Sequence, residues 1–286
     1  MKLVSFGDRG LEHPGLVIDD KFVFKLHEFD PDIPPDMTML LKKGVIEQVR
    51  EILKDREHLP EWLLAPIDKV RLSAPVPHPG QIICVGLNYK SHADEQNKPY
   101  PPLPMLFSKA PNASNGPFAE VKIPGYTQQA DYEVELGVVI GERARKVAAA
   151  DYRKYVLGYV TFNDFSCRDA QRDDKQFFRS KSPDGFAPFG PWIVTDDEIA
   201  DPMNLAVRCK VNGELRQQSN TADLIHPIGR IIEFITEAMT LEPGDIISTG
   251  TPGGVGEHQK PPRFLKPGDV VETTVEGIGT LRNVMA

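Results

Sequence analysis

Apolar and polar positions give the two ends of this chain different textures. Over residues 1–24 they alternate around turn signals at Gly7-Asp8, His13-Pro14-Gly15 and Asp19-Asp20, which predicts short strands. Residues 37–53 instead carry helical spacing, with Leu40, Leu41, Val45, Val49 and Ile52 forming one apolar stripe. Pro75, Pro77 and Pro79-Gly80 then punctuate the chain. From Gln81 onwards short apolar runs separated by Gly and Pro predict a β-rich core. One helix interrupts it, over about residues 224–239, where Ile228, Ile231, Ile232, Ile235 and Met239 recur at helical intervals and Pro243-Gly244 stops them. The fold class expected is α+β and strand-dominated, with a small N-terminal domain over 1–72 and a larger one over 73–286. With 26 prolines and 23 glycines, long shaped loops are expected.

Within that pattern one run is out of place. Asp131-Tyr132-Glu133-Val134-Glu135-Leu136-Gly137-Val138-Val139-Ile140 is apolar and β-branched apart from its carboxylates, and Glu is depleted in strands. Two positions apart on a strand, Glu133 and Glu135 point from one face. Asp164, closing the strand-like Val160-Thr161-Phe162-Asn163, can supply a third oxygen. Read singly, the Glu pair could line a wet strand face and Asp164 could be a turn residue. Together, in buried-looking strands, three carboxylates need a cation between them. All-oxygen ligation suits Mg²⁺ or Mn²⁺, with Ca²⁺ also possible, rather than Zn²⁺.

Composition narrows the partners. A net charge of -8 argues against nucleic acid or an anionic membrane as the main partner. Cys84, Cys167 and Cys209 are odd in number and form no CxxC pair, which fits a reducing compartment and offers no zinc site. No basic-then-apolar leader and no run of about 18 apolar residues occurs, so a cytoplasmic location is the default expectation.

Other candidates follow the strands. After Ile82-Ile83-Cys84-Val85, Ser91 is placed to cap a short helix on which His92 and Glu95 share a face. A carboxylate beside an imidazole fixes its tautomer and raises its basicity, so this pair can activate a water; a surface His is the plainer alternative. Lys181 sits in a loop rich in proline and aromatic residues, where a cation can neutralise an anionic substrate or a developing enolate. Arg168 and Gln171, just past Asp164, can bind substrate oxygens or simply face solvent. Gly250-Thr251-Pro252-Gly253-Gly254-Val255-Gly256 is neither a P-loop nor a dinucleotide fingerprint; its amides and Thr251 can receive a carboxylate, or form only a turn. No Gly-x-Ser-x-Gly elbow supports serine-hydrolase chemistry.

In order along the chain, Asn-Tyr-x-x-His-x-x-Glu at 88–95, Glu-x-Glu at 133–135, Asn-Asp-x-Ser-x-Arg-Asp-x-Gln at 163–171, Lys-Ser-x-Asp at 181–184 and Gly-Thr-Pro-x-Gly-Val-Gly at 250–256 closely resemble the fumarylacetoacetate hydrolase family. The resemblance covers about residues 80–286. It implies the mixed β-sandwich or β-roll catalytic domain of that family, usually dimeric, so a homodimer is expected. It implies Mg²⁺ or Mn²⁺ on Glu133, Glu135 and Asp164, a His92–Glu95 dyad on a lid-like segment, and Lys181, Arg168, Gln171 and Thr251 as substrate or intermediate contacts. The chain departs from the commonest pattern at Tyr132, Lys90, Pro183 and Gly185, none of which removes a ligand or the dyad. The expected substrate is a small anionic 2-oxo acid. The expected reaction is hydrolysis of a C–C bond in an acylpyruvate, with the ion and Lys181 stabilising the enolate released. Decarboxylation of oxaloacetate or a related β-keto acid, or an enolate-forming isomerisation, is the alternative at the same site. A catalytically silent metal-binding protein is the alternative outside enzymology.

Overall fold

β-Branched and aromatic runs from both ends of the chain pair into one long sheet. In the computed structural model, which describes all 286 residues, the N-terminal alternation forms a meander of β1 (Lys2–Phe6), β2 (His13–Ile18) and β3 (Phe22–Lys25). Helices α1 (Leu26–Phe29), α2 (Met37–Lys43) and α3 (Ile46–Lys54) follow, and β4 (Leu64–Pro66) then pairs with β3. The chain continues through β5 (Ile82–Gly86), helix α4 (Lys90–Glu95), β6 (Met105–Lys109) and the short β7 (Ser114–Asn115) and β8 (Ala130–Asp131). The long strands β9 (Val134–Ile140) and β10 (Val156–Asn163) precede β11 (Ser166–Cys167), helices α5 (Arg168–Asp174) and α6 (Phe178–Lys181), and β12 (Ala187–Thr195). Last come β13 (Ala206–Val211), β14 (Glu214–Asn220), α7 (Ile228–Ala238), β15 (Ile246–Ser248), β16 (Val270–Val275) and β17 (Gly279–Val284).

The main sheet runs β4-β3-β2-β1-β12-β10-β9-β15-β5-β6, with β7 alongside β12. It is mixed: β5 lies parallel to β15 and β7 to β12, and its other pairs are antiparallel. Residues 1–72 thus contribute four strands to one end of the sheet, joined through the pairing of Lys2 with Val194. A second antiparallel sheet, β14-β13-β16-β17, and the β8–β11 ribbon complete the strand-dominated α+β architecture that the hydrophobic pattern predicts.

Both faces of the central strands are covered, which is why β9 and β10 are buried at every position. Val134, Leu136, Val138 and Ile140 join one core with Ile231 and Ile235 of α7 and Val207 and Val271 of the second sheet. Val139, Val160 and Phe162 join another core with Leu3, Leu16, Phe24, Leu40 and Leu41 of the N-terminal part. The two period-2 patterns of β9 and β10 therefore feed two different layers.

The helix expected over 37–53 is two helices. Gly44 takes a left-handed conformation (φ 71°) and its amide donates to Leu41, closing α2 before α3 begins at Ile46. The apolar stripe reads through this break because both helices press the same side onto the core. The helix expected over 224–239 begins at Ile228, directly after Pro227, whose fixed φ suits the entry but not the interior of a helix.

Candidate active site

The antiparallel register of β9 and β10 sets the acidic cluster. Glu135 pairs with Phe162 and Val134 with Asn163, and the Asp164 amide extends the ladder by donating to the Glu133 carbonyl at 2.9 Å. Glu133 and Glu135 therefore alternate with the core residues Val134 and Leu136, and Asp164 stands across from Glu133. All three are buried, and each offers a carboxylate oxygen within 4.8 Å of the others.

Such a cluster of like charge is unstable alone, and the surrounding cations answer it. Lys181 Nζ contacts Glu133 Oε2 at 2.7 Å and Asp164 Oδ2 at 2.8 Å. Lys109 Nζ reaches Asp164 Oδ1 at 2.5 Å and the Phe165 carbonyl at 3.0 Å. Arg168 donates through Nε to Asp131 Oδ2 at 2.9 Å, and its Nη2 lies 2.6 Å from Glu133 Oε1 as a charge contact rather than an aligned hydrogen bond. Burial alone would raise the Glu133 pKa, but Lys181, Arg168 and His92 overcome it and hold it at about 2. Glu135 goes the opposite way: burial first, then Asp164 and Glu133, push its carboxyl well above the ordinary range. Its Oε2 accepts from Ser248 Oγ at 2.5 Å and from the Gly250 amide at 2.7 Å. Lys181 loses basicity through burial, yet Asp164 and Glu133 more than restore it, so it stays an ammonium.

The dyad lies on α4. His92 Nδ1 is 2.6 Å from Glu95 Oε1, and Glu95 Oε2 accepts from the Gly254 amide at 2.8 Å. Ser91 does not cap this helix. The N-cap is Tyr89, and the Ser91 hydroxyl, two positions further on, donates instead to Asp223 at 2.6 Å. Asn88 anchors the approach: its side-chain amide donates to the carbonyls of His226 and Thr249.

The glycine-rich loop does receive carboxylates, but they are the protein's own. Gly250 binds Glu135, Gly254 binds Glu95, and the amides of Gly256 and Glu257 bind Asp131 at 2.7 and 3.0 Å. Thr251 donates its hydroxyl to the Val134 carbonyl and accepts from Gln217. Gln171 accepts from Arg168 Nη1 at 3.2 Å.

These groups surround a cavity of about 240 Å³. His92, Glu133, Glu135, Arg168, Gln171, Lys181 and Thr251 line it, together with Gln96, Lys98, Phe107 and His258. Glu95 and Asp164 stand behind that lining, each touching a residue that reaches it. Lys109, Ser248, Gln96 and Lys98 escape the sequence reading. For Lys109 the only local signal is a lysine ending the apolar run Met-Leu-Phe-Ser-Lys before Ala110-Pro111.

The donor set fits a hard divalent ion. Glu133, Glu135 and Asp164 offer only oxygens, clustered closely enough for one ion at the usual 2.0–2.6 Å of Mg²⁺ or Ca²⁺ (about the same for Mn²⁺) to bridge them. No cysteine or histidine belongs to the cluster.

Comparison with known proteins agrees with the geometry. Residues 81–286 match the family model described as "Fumarylacetoacetate (FAA) hydrolase C-terminal". The mitochondrial oxaloacetate tautomerase FAHD2B of Bos taurus is 41% identical over 290 residues, covering 99% of this chain and 91% of its own. The solved fumarylacetoacetate hydrolase of the psychrophile Exiguobacterium antarcticum superposes with a TM-score of 0.85 at 36% identity, covering 100% of this chain and 99% of its own. Maleylpyruvate hydrolase from Sphingobium, solved with manganese(II) and pyruvate, superposes with a TM-score of 0.80 at 31% identity, with 100% and 99% covered. Relatives of this chain thus include both tautomerases and hydrolases of 2-oxo acids. A full-length match, the ordered motifs and the shared fold lead to one assignment: the chain belongs to the fumarylacetoacetate hydrolase family of enzymes.

Proposed function

We propose that this protein interconverts the keto and enol forms of oxaloacetate or a closely similar short 2-oxo dicarboxylate. The observation that carries the reading is the cavity itself. It places the His92 imidazole in the same small space as two buried cations, Lys181 and Arg168. At about 240 Å³ it lies below the ~300 Å³ at which pockets for drug-sized ligands begin, which suits a small acid. Oxaloacetate tautomerases at 40–41% identity over 99% of the chain support the same substrate.

The residues divide the work as follows. Arg168 and Gln171 receive the C1 carboxylate. Lys181 spends two of its three N–H groups on Glu133 and Asp164, which leaves one for the C2 oxygen. His92, backed by Glu95, takes a proton from C3, and the same proton or one from water returns to the C2 oxygen to give the enol. Bound on Glu133, Glu135 and Asp164, Mg²⁺ or Mn²⁺ supplies Lewis-acid polarisation of the substrate's oxygens.

Hydrolysis of acylpyruvates is the second reading. The His92–Glu95 pair is equipped to activate a water, and the maleylpyruvate hydrolase likeness favours it. Stopped-flow decay of the ultraviolet enol band of oxaloacetate, with Mg²⁺ or Mn²⁺ present, tests the first reading. Pyruvate release from acylpyruvates tests the second. The protein is expected to accelerate enol decay. Cleavage of acylpyruvates without any acceleration of enol decay would reverse the order.

A further inference from the structure

Past the end of α4 runs a chain of polar contacts to which the reaction above gives no role. Lys98 Nζ donates to Gln96 Oε1 at 2.7 Å, and Gln96 Nε2 lies 2.9 Å from His92 Nε2. His92 Nδ1 then meets Glu95 Oε1. The donor inventory dictates how protons sit along it. An ammonium has no lone pair, so the Gln96 oxygen must face Lys98 and its NH₂ must face the imidazole. An amide NH₂ has donors only, so His92 Nε2 must accept. The ring proton is therefore on Nδ1, donated to Glu95. Reversing the Gln96 amide would set donor against donor at Lys98. Glu95 on one side and Lys98, through Gln96, on the other thus hold the buried base in the same tautomer, and the lone pair that base must use is covered by Gln96.

We propose that Lys98 and Gln96 form a substrate-released latch on His92. Lys98 is exposed yet borders the cavity, where it can reach the far carboxylate of a 2-oxo dicarboxylate. The Lys98 ammonium meets only a dipole at Gln96 Oε1 but a full negative charge at a carboxylate, so Lys98 leaves Gln96 Oε1 for the substrate. Without that anchor the Gln96 amide turns away and uncovers Nε2. Recognition of the second carboxylate and release of the base are one event. Lys98 is then a specificity-determining residue and Gln96 a positioning residue. The inference rests on the reading of His92 as the base acting on a dicarboxylate.

The tautomer can be followed without turnover. The ¹⁵N resonances of His92, assigned by their loss in His92→Gln, are expected in the ligand-free protein with Mg²⁺ to show a protonated Nδ1 and a hydrogen-bonded, unprotonated Nε2. Malate, an unreactive dicarboxylate, is expected to move the Nε2 resonance to that of a free lone pair, and lactate to leave it in place. Lys98→Met is expected to abolish the malate response. It should also lower kcat/KM for oxaloacetate about ten- to hundredfold, the range for a lost hydrogen bond to a charge, while deuterium exchange into the methyl group of pyruvate does not fall with it. Gln96→Met is expected to raise pyruvate exchange, because the lone pair is no longer covered. Equal responses to malate and lactate, a protonated Nε2 in the ligand-free protein, or equal losses on both keto acids in Gln96→Met would each overturn the latch. A malate-specific shift in a protein that turns over neither keto acid would support the latch and overturn the proposed reaction instead.

Discussion

Lys109 Nζ and Asp164 Oδ1 are 2.5 Å apart, and neither side chain has any exposure to solvent. Lysine and aspartate so placed are each costly to bury alone, and removing one partner of a buried pair destabilises a protein by about 3–5 kcal/mol. Lys109→Met is therefore expected to unfold at distinctly lower denaturant than the parent. A divalent ion on the acidic cluster restores positive charge beside Asp164, so saturating Mn²⁺ is expected to recover part of that loss. Denaturation with and without Mn²⁺ measures both. An identical deficit in the two conditions would mean that Asp164 does not share the ion.

Glu133 and Glu135 link stability to pH in opposite directions in the metal-free protein. Burial opposes the Glu133 charge, but Lys181 and its cationic neighbours take its pKa down to about 2 from the ordinary 4.5. Its stabilisation is present above the unfolded value and lost as pH falls through the folded one. Burial, Asp164 and Glu133 raise Glu135 instead, so its stabilisation is full below 4.5 and lost as pH rises through the elevated value. As pH rises above the ordinary 4.5, chelator-treated Glu135→Gln is expected to lose less stability than the parent. Parallel profiles would show that Glu135 is already ionised without metal.

Gly250 is held at φ 107°, where a Cβ would lie 2.8 Å from Asn88 Cβ and 3.1 Å from the Val85 carbonyl oxygen. Its amide is also one of the two donors on Glu135 Oε2. Gly250→Ala is expected to cost about 1–3 kcal/mol through backbone strain and to weaken Mn²⁺ binding by displacing Glu135. Calorimetric unfolding and Mn²⁺ titration check the two effects, and unchanged Mn²⁺ affinity in a destabilised variant would separate them.

What could be read from the sequence depended on whether the cause was local. Glu133 and Glu135 stood out because carboxylates interrupt a β-branched run, and the strand period alone put them on one face. Asp164 followed from the end of the next run. Lys109 did not, because its partner is 55 positions away and nothing around Ser108-Lys109-Ala110-Pro111 distinguishes a buried ammonium from a solvated strand end. Ser248 was invisible for the same reason, since its 2.5 Å contact to Glu135 depends on β15 pairing with β9. The union of β1 with β12 through Lys2 and Val194 is a long-range pairing too, and short alternating strands carry no mark of the neighbour they will choose. The broken helix at Gly44 misled because an apolar stripe records which side is buried, not whether the backbone continues.

The dyad separates the reactions this site supports. Hydrolysis of an acylpyruvate needs a water activated by His92, and keto–enol exchange needs the same imidazole at C3, whereas loss of CO₂ from oxaloacetate needs no base at the departing carbon. A positioned general base contributes about 10²–10⁴-fold. His92→Ala is therefore expected to lose that much in enol decay and in any acylpyruvate cleavage, but far less in decarboxylation. Chelation is expected to remove all three, since each develops charge on the C2 oxygen. Measured side by side with Mg²⁺, equal losses in all three reactions on His92→Ala would show that the imidazole supports the packing of α4 rather than moving a proton.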